Sequence, residues 1–425
     1  TAVTMDPARP ALKDAFVAVE GTKIASVGTE RPQGTFDRVV DCAGKVLMPG
    51  LVNAHTHVPM ALMRGYGGGC DLQHWLNDYI FPAEARLDDR CVAAGTALGL
   101  AEMIASGTTC IADMYMNTET IAQTVLDAGI SANLSCGAVY FGTPEDFSPE
   151  KCGDCANHVR LYENWHNAGD GQILVDASIH AEYTSCPPAW EWVAGFAQKH
   201  GLGMHVHISE TRSEHEKCLE KYGKTPISLL DQYGVWENGG HAAHCVWVSG
   251  KDMELMARKN ITAVHNPVSN LKLASGVARV PELLKAGVNV ALGTDGVASN
   301  NSHDLFEEIK LAAILHKGTT GDPTAVSAFQ ALSMATVNGA RTLGRDAGVI
   351  APGKVADLIL VDFTSKNLFP CHDVLENLVY SANGSNVVMN MARGNIIYEK
   401  GEFLTLDLEK IRDQVKNYAL PHIFG

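Results

Sequence analysis

Two histidines one residue apart, His55 and His57, end the apolar run Pro49-Gly-Leu-Val-Asn-Ala-His-Thr-His57. In an extended strand, residues i and i+2 face the same side, so both imidazoles can address one metal ion. Alone the pair is weak evidence, because such spacing arises by chance. Further polar groups end other apolar runs: His180, then His205 and His207 with Glu210 three residues on, then His244, His265 and Asp295. Each by itself reads better as a satisfied structural histidine or a helix-capping aspartate than as a ligand. As a set they describe a hydrolytic metal centre. His55, His57, one of the pair His205 and His207, and Asp295 supply three nitrogens and an oxygen, with water as the remaining ligand. A water so bound is a usable nucleophile near neutral pH, and Asp295 beside it can accept its proton.

Such a set needs a scaffold that brings distant strand ends together. From residue 49 onward, apolar runs alternate with longer helical patterns, the signature of βα units around a parallel sheet. Eight candidate strands cover 50–57, 109–115, 133–140, 173–180, 203–209, 239–246, 261–266 and 288–295. Helical patterns lie between and after them, for example at 91–105, 189–198, 303–317 and 324–343. The expected fold is α/β, a TIM (β/α)8 barrel over residues 49–349, in which chemistry sits at the C-terminal ends of the strands. Residues 1–48 and 350–425 instead carry short β-like runs broken by Gly and Pro. They are expected to form one small β-sandwich domain built from both termini, with an amphipathic helix over 406–419 closing the chain. The loops after strands one and three, rich in Gly, Pro and aromatic residues, are expected to cover the barrel mouth.

Composition narrows the partners. With 425 residues, 46% hydrophobic and 19% charged, the chain suits a barrel plus a second domain, and no apolar run is long enough to span a bilayer. The net charge of −15 disfavours nucleic acid, whose phosphates require clustered Lys and Arg. A small-molecule substrate is expected, with no nucleic-acid or membrane partner, and a homo-oligomer is compatible with the sequence. The chain starts at Thr1 without a secretory or lipidation signal, and its 11 scattered cysteines suit a reducing compartment, so a cytoplasmic location is expected. Cys152 and Cys155 form one C-x-x-C, but no second pair stands nearby for a structural zinc, and they read as two free thiols in a loop.

The strings Pro49 to His57, His205-Val-His-Ile-Ser-Glu210, Ala242-Ala-His-Cys-Val-Trp247, His265-Asn-Pro-Val-Ser-Asn-Leu-Lys-Leu-Ala-Ser-Gly276 and Gly293-Thr-Asp-Gly-Val-Ala-Ser299 resemble the amidohydrolase superfamily. More narrowly, they resemble its methylthioadenosine/S-adenosylhomocysteine deaminases and related chlorohydrolases. That resemblance implies one divalent metal ion, zinc first with iron or manganese as alternatives, held by His55, His57, His207 and Asp295. It makes Glu210 the proton shuttle and His244 the contact to the water or the tetrahedral centre. The implied reaction is hydrolytic deamination of an adenine nucleoside to the inosine analogue and ammonia. The rival reading is an aminohydrolase or chlorohydrolase of another N-heterocycle, such as a triazine, guanine or pterin.

The resemblance also assigns substrate contacts to Trp75, Glu84, His180 and Ser299. A solvated loop glutamate and a packed lid tryptophan are the plain alternatives for Glu84 and Trp75. A second metal in such barrels uses a carboxylated lysine at the end of strand four. No Lys lies between Ile173 and Ser185, so one metal is expected, with Glu182 the residue able to overturn that count. Relatives that accept S-adenosylhomocysteine carry arginines after strand three to clamp its carboxylate. Residues 140–155 here hold only Lys151, and Arg160 falls on the following helix, which tilts the expected substrate toward methylthioadenosine, 5′-deoxyadenosine or adenosine.

Overall fold

A computed structural model describes residues 1–69 and 72–425. Its centre is a run of eight parallel strands: β1 (Leu51–Thr56), β2 (Thr108–Met114), β3 (Ser131–Ser135), β4 (Ile173–Val175, resuming as Ala177–Ser178), β5 (Met204–Ile208), β6 (Gly240–His244), β7 (Ile261–His265) and β8 (Val290–Leu292). Nearly every residue in them is buried, as expected of parallel strands covered on both faces. β1 to the first half of β4 pair in chain order, and the second half of β4 continues the order to β8. Asp176 is the hinge between the two arcs. Its N–H donates to Leu134 O on the β3 side (3.0 Å), whereas the next N–H, of Ala177, donates to Gly203 O beside β5 (3.0 Å).

The ring closes between β8 and β1 through a different kind of joint. Asp295 N donates to His55 O (3.0 Å), Thr294 N to Asn53 Oδ1 (3.0 Å), and Asn53 Nδ2 to Thr294 Oγ1 (2.7 Å). Gly293 makes this approach possible, because a Cβ there would lie 2.5 Å from Asn266 Oδ1 and 2.8 Å from His55 O. The seam therefore delivers Asp295 directly beside the two histidines of β1.

The strands after β3 and within β8 are shorter than their apolar patterns. β3 ends at Ser135 and the chain turns at Gly137 (φ 61°), so 136–140 keeps only an isolated bridge, Ala138 to Ile179. β8 stops at Leu292, ahead of the left-handed Asp295 (φ 61°). Cys152 and Cys155 are not both in a loop: Cys152 caps the helix Gly153–Trp165 and Cys155 is buried inside it.

Both chain ends feed one seven-stranded mixed sheet, ordered Glu402–Phe403, Asn395–Glu399, Val387–Ala392, Leu358–Asp362, Lys45–Pro49, Ala2–Val3 and Ala11–Leu12. The hairpin Phe16–Glu20 and Lys23–Gly28 packs on it through Ile24, Ala2, Ile350, Ala356 and Leu358. Lys45–Pro49 runs straight across Gly50 into β1, and Gly50 N donates to Asp357 O (2.9 Å), so the sheet anchors the strand that carries His55 and His57.

The expected closing helix is present as one unbroken helical run, Leu408–Gln414, a wide turn Val415–Ala419 and Leu420–Phe424, which continues past 419 to Phe424. They brace the helix Asp89–Ala105, whose N-cap Asp88 accepts from Cys91 N (2.8 Å) and from the Tyr418 hydroxyl. Among the described residues, no helix is long and apolar enough to cross a membrane.

Candidate active site

The C-terminal ends of β1, β5, β6 and β8 bring their polar residues into one buried cluster. His57 Nε2 lies 3.2 Å from Asp295 Oδ1 and 3.3 Å from His207 Nε2, and His55 Nε2 lies 3.5 Å from Asp295 Oδ1. Ligating atoms of His55, His57 and His207 fall within 4.8 Å of one another, as do those of His55, His244 and Asp295. Four left-handed, non-glycine residues mark these strand ends: Ser209 (φ 48°), His244 (φ 72°), Cys245 (φ 50°) and Asp295 (φ 61°). Such backbone is costly and persists where the surroundings enforce it, here to turn each chain away while its side chain stays in the mouth.

Hydrogen bonds behind the cluster fix which ring nitrogens face inward. His57 Nδ1 donates to Met114 O (2.5 Å) and His207 Nδ1 to His180 O (2.7 Å), leaving both Nε2 atoms as lone-pair donors. His55 Nδ1 is 2.7 Å from His205 Nε2, and His205 Nδ1 is 3.2 Å from Ser135 Oγ, so the same tautomer follows for His55 if the chain donates outward. His55 Nε2 is buried with no hydrogen-bond partner. An orphaned imidazole nitrogen beside two others and a carboxylate oxygen fits a divalent cation and fits poorly with a site built only for packing.

Asp295 is tuned for that role. Its Oδ2 accepts from Ser269 Oγ (2.6 Å) and Ser299 Oγ (2.8 Å), which leaves Oδ1 to the histidines. Burial alone would raise its carboxyl, but the interactions with His55 and His57 override burial and hold it well below the usual range. Burial pushes Glu210 the other way, upward, against the opposing field of His244. Glu210 Oε1 accepts from Ser275 Oγ (3.2 Å), and its Oε2 lies 3.8 Å from His244 Nε2. His244 Nδ1 in turn is 2.8 Å from Asn270 Oδ1. His244 thus reaches the ligand cluster on one side and Glu210 on the other.

The remaining expected residues are distributed around this centre. Glu84 ends the short helix Phe81–Glu84, where burial raises its carboxyl while Tyr115 and His57 oppose that rise. Trp75 is buried, with Nε1 donating to Tyr66 O (3.3 Å). His180 lies two residues past β4, its ring 4.7 Å from that of His207. Ser299 spends its hydroxyl on Asp295 and Gly296 O, so it orients the carboxylate. Glu182 is buried and belongs to neither group of converging ligand atoms. His265 pairs with His316 (Nε2 to Nε2, 3.3 Å) and stands outside the cluster.

Three supporting residues carry no signal as single positions: Ser269 on Asp295, Asn270 on His244 and Ser275 on Glu210. The run of Ser and Asn after His265 was their one visible trace, a polar stretch where strand seven meets its helix.

The pattern of the Amidohydrolase family matches residues 46–397. A 5′-deoxyadenosine deaminase of Methanosarcina acetivorans is 42% identical over 417 residues, which cover 98% of this chain and 95% of the relative. A 5-methylthioadenosine/S-adenosylhomocysteine deaminase of Pelotomaculum thermopropionicum is 42% identical over 428 residues, 99% of this chain and 96% of the relative. The crystal structure of a zinc-bound adenosine deaminase from Xanthomonas campestris superimposes with a TM-score of 0.94 at 34% identity, covering 99% of this chain and 96% of its own.

Proposed function

This chain belongs to the amidohydrolase family, and we propose that it is a metal-dependent hydrolase of cyclic amidines that deaminates an adenine nucleoside to its inosine analogue with release of ammonia. The residues at 49–349 form its catalytic unit, and His55, His57, His207 and Asp295 hold a single zinc ion. The ion, when bound, supplies a water acidic enough to attack an aromatic carbon. The single observation that supports this reading is His244, whose ring reaches both the ligand cluster and Glu210.

From there the protein's own groups account for the proton movements. Asp295, held ionised and turned by Ser269 and Ser299, takes a proton through Oδ1 as the attack proceeds. Glu210, with its carboxyl raised by burial, delivers its proton to the adenine ring nitrogen and recovers one from the hydroxyl of the tetrahedral centre as that centre collapses, while the proton held by Asp295 goes to the leaving amine. His244, its Nδ1 fixed on Asn270, presents Nε2 to the oxygen of the tetrahedral centre. Glu84 accepts the ribose hydroxyls, and Trp75 and His180 line the nucleoside. The 5′ substituent meets the segment after β3, which carries Lys151 as its one cation between 140 and 155, so 5′-deoxyadenosine and methylthioadenosine are favoured over S-adenosylhomocysteine.

The test is a turnover panel with ammonia and chloride detection on the metal-loaded enzyme. It covers adenosine, 5′-deoxyadenosine, methylthioadenosine, S-adenosylhomocysteine, guanine and a chlorotriazine. Ammonia from the first three is expected. Ammonia from guanine alone, or chloride from the triazine with no nucleoside turnover, overturns the assignment.

A further inference from the structure

The proton movements above leave unused a carboxyl that lies behind Asp295. Glu308 stands in the first turn of the helix Leu305–Thr320 and is 1% exposed. Its Oε1 accepts from Asn300 Nδ2 (2.5 Å) and its Oε2 from Val268 N (3.3 Å). Val268 is the second residue of the helix Pro267–Lys272, where a backbone N–H has no partner within its own helix and must find one outside. Asn300 ends the short helix Val297–Asn300, and its Nδ2 also donates to Thr294 O (2.7 Å), one residue before Asp295.

Each of these partners is the chain neighbour of a serine that holds Asp295. Ser269 follows Val268 and Ser299 precedes Asn300, and both hydroxyls donate to Asp295 Oδ2, at 2.6 and 2.8 Å. One serine comes from the segment after β7 and the other from the segment after β8, so the hydroxyls converge only while the two segments keep their spacing. Glu308 spans them from a third element. Lys272 Nζ also bridges the same helices, to Ala298 O (3.0 Å), but through an exposed side chain that water screens.

We propose that Glu308 is a positioning residue for Asp295: its carboxyl clamps the Val268–Ser269 and Ser299–Asn300 peptides so that both serine hydroxyls stay on Oδ2 and Oδ1 stays turned to His55 and His57. The inference rests on Asp295 being the ligand and proton acceptor of the reaction proposed above. A buried carboxyl is costly unless donors meet it, and the two that meet Glu308 belong to the segments that set the direction of the Asp295 carboxylate. Glu308→Gln breaks the clamp on one side. Its amide offers one acceptor and one donor where both partners are donors, so either Val268 N–H or Asn300 Nδ2 is left against an N–H.

A mutant cycle on the full chain tests the clamp, read by zinc affinity in chelator competition and by kcat and KM of the zinc-loaded enzyme. Glu308→Gln is expected to weaken zinc by about 10-fold and to lower kcat by a similar factor with KM kept, the scale of a lost group behind a metal ligand. In a Ser269→Ala, Ser299→Ala background no hydroxyl remains to be positioned, and the same change is expected to cost less than about 2-fold. Wild-type zinc affinity in Glu308→Gln overturns the clamp. An equal loss in both backgrounds overturns it too, because Glu308 then supports the fold without acting through the serines. Glu308→Met, similar in length and without an acceptor, runs the same cycle if the amide variant does not fold. The zinc affinities decide the clamp whether or not a nucleoside is turned over, so failure of the proposed reaction shows in kcat alone.

Discussion

At the N-terminal end of the barrel, Arg345 gives its two amino groups to Gly171 O, Ala132 O, Gln172 O and Asn133 Oδ1. Nearby, Asn133 Nδ2 donates to Asp176 Oδ2 (3.0 Å), and Asn289 Nδ2 contacts Thr262 Oγ1, Asn338 O and Thr342 Oγ1. Polar groups there hold one another across strand starts, although Arg345 Nε stays buried without a partner. At the C-terminal end the outer nitrogens are equally well tied, on Met114 O, His180 O and His205, yet the inner ones of His55, His57 and His207 point at each other and at Asp295. The same strands bury polar groups at both ends. One end uses them to hold the barrel together, and the other gathers ring nitrogens around one carboxylate oxygen.

That contrast predicts where a substitution costs chemistry and where it costs stability. Glu210→Gln should keep the metal and lose about 10³-fold in kcat, the middle of the range for an acid/base group, measured by steady-state kinetics beside metal analysis. His207→Ala should abolish tight metal binding. His205→Ala, which removes only the support behind His55, should weaken it by about 10- to 100-fold, read by chelator competition. The reverse order would exchange the two histidines' roles. Arg345→Met, at the other end, should leave kcat alone and destabilise the fold by about 2–4 kcal/mol, since it strips three carbonyls and an amide oxygen of a donor. Thermal or denaturant unfolding checks it.

The smallest expected effect comes from Asp176→Asn. Burial raises the Asp176 carboxyl to about 6, opposed by Asn133. A carboxyl raised on folding binds more protons in the native than in the unfolded state, so stability falls as pH rises from the ordinary carboxylate range through about 6. The amide keeps one acceptor for Asn133 and carries no charge. It should therefore stabilise by about 1 kcal/mol above that window and not below it, in unfolding curves taken at both pH values.

The same contrast explains what was legible in the sequence. His55 and His57 are readable because a strand repeats every two residues, and Asp295 because it ends an apolar run. The choice between His205 and His207 is not readable from that period, because both face inward. They differ in depth: His207 reaches His57, whereas His205 sits one layer lower against His55 and Ser135. Ser269 and Ser275 act on residues 26 and 65 positions away, through contacts that no local pattern encodes. The barrel order followed from alternating periods, but the break at Asp176 and the ladder-free seam at Gly293 are properties of closure, which appears only when eight strands meet.

The central claim is hydrolytic deamination at the ring carbon by groups gathered at one end of the barrel. Its most direct test is turnover of 5′-deoxyadenosine by the metal-loaded enzyme in 18O-labelled water, with ammonia assay and mass spectrometry of the product. The account predicts one ammonia per product and one labelled oxygen in the purine base. Release of free adenine, or a product whose base carries no label, would contradict it.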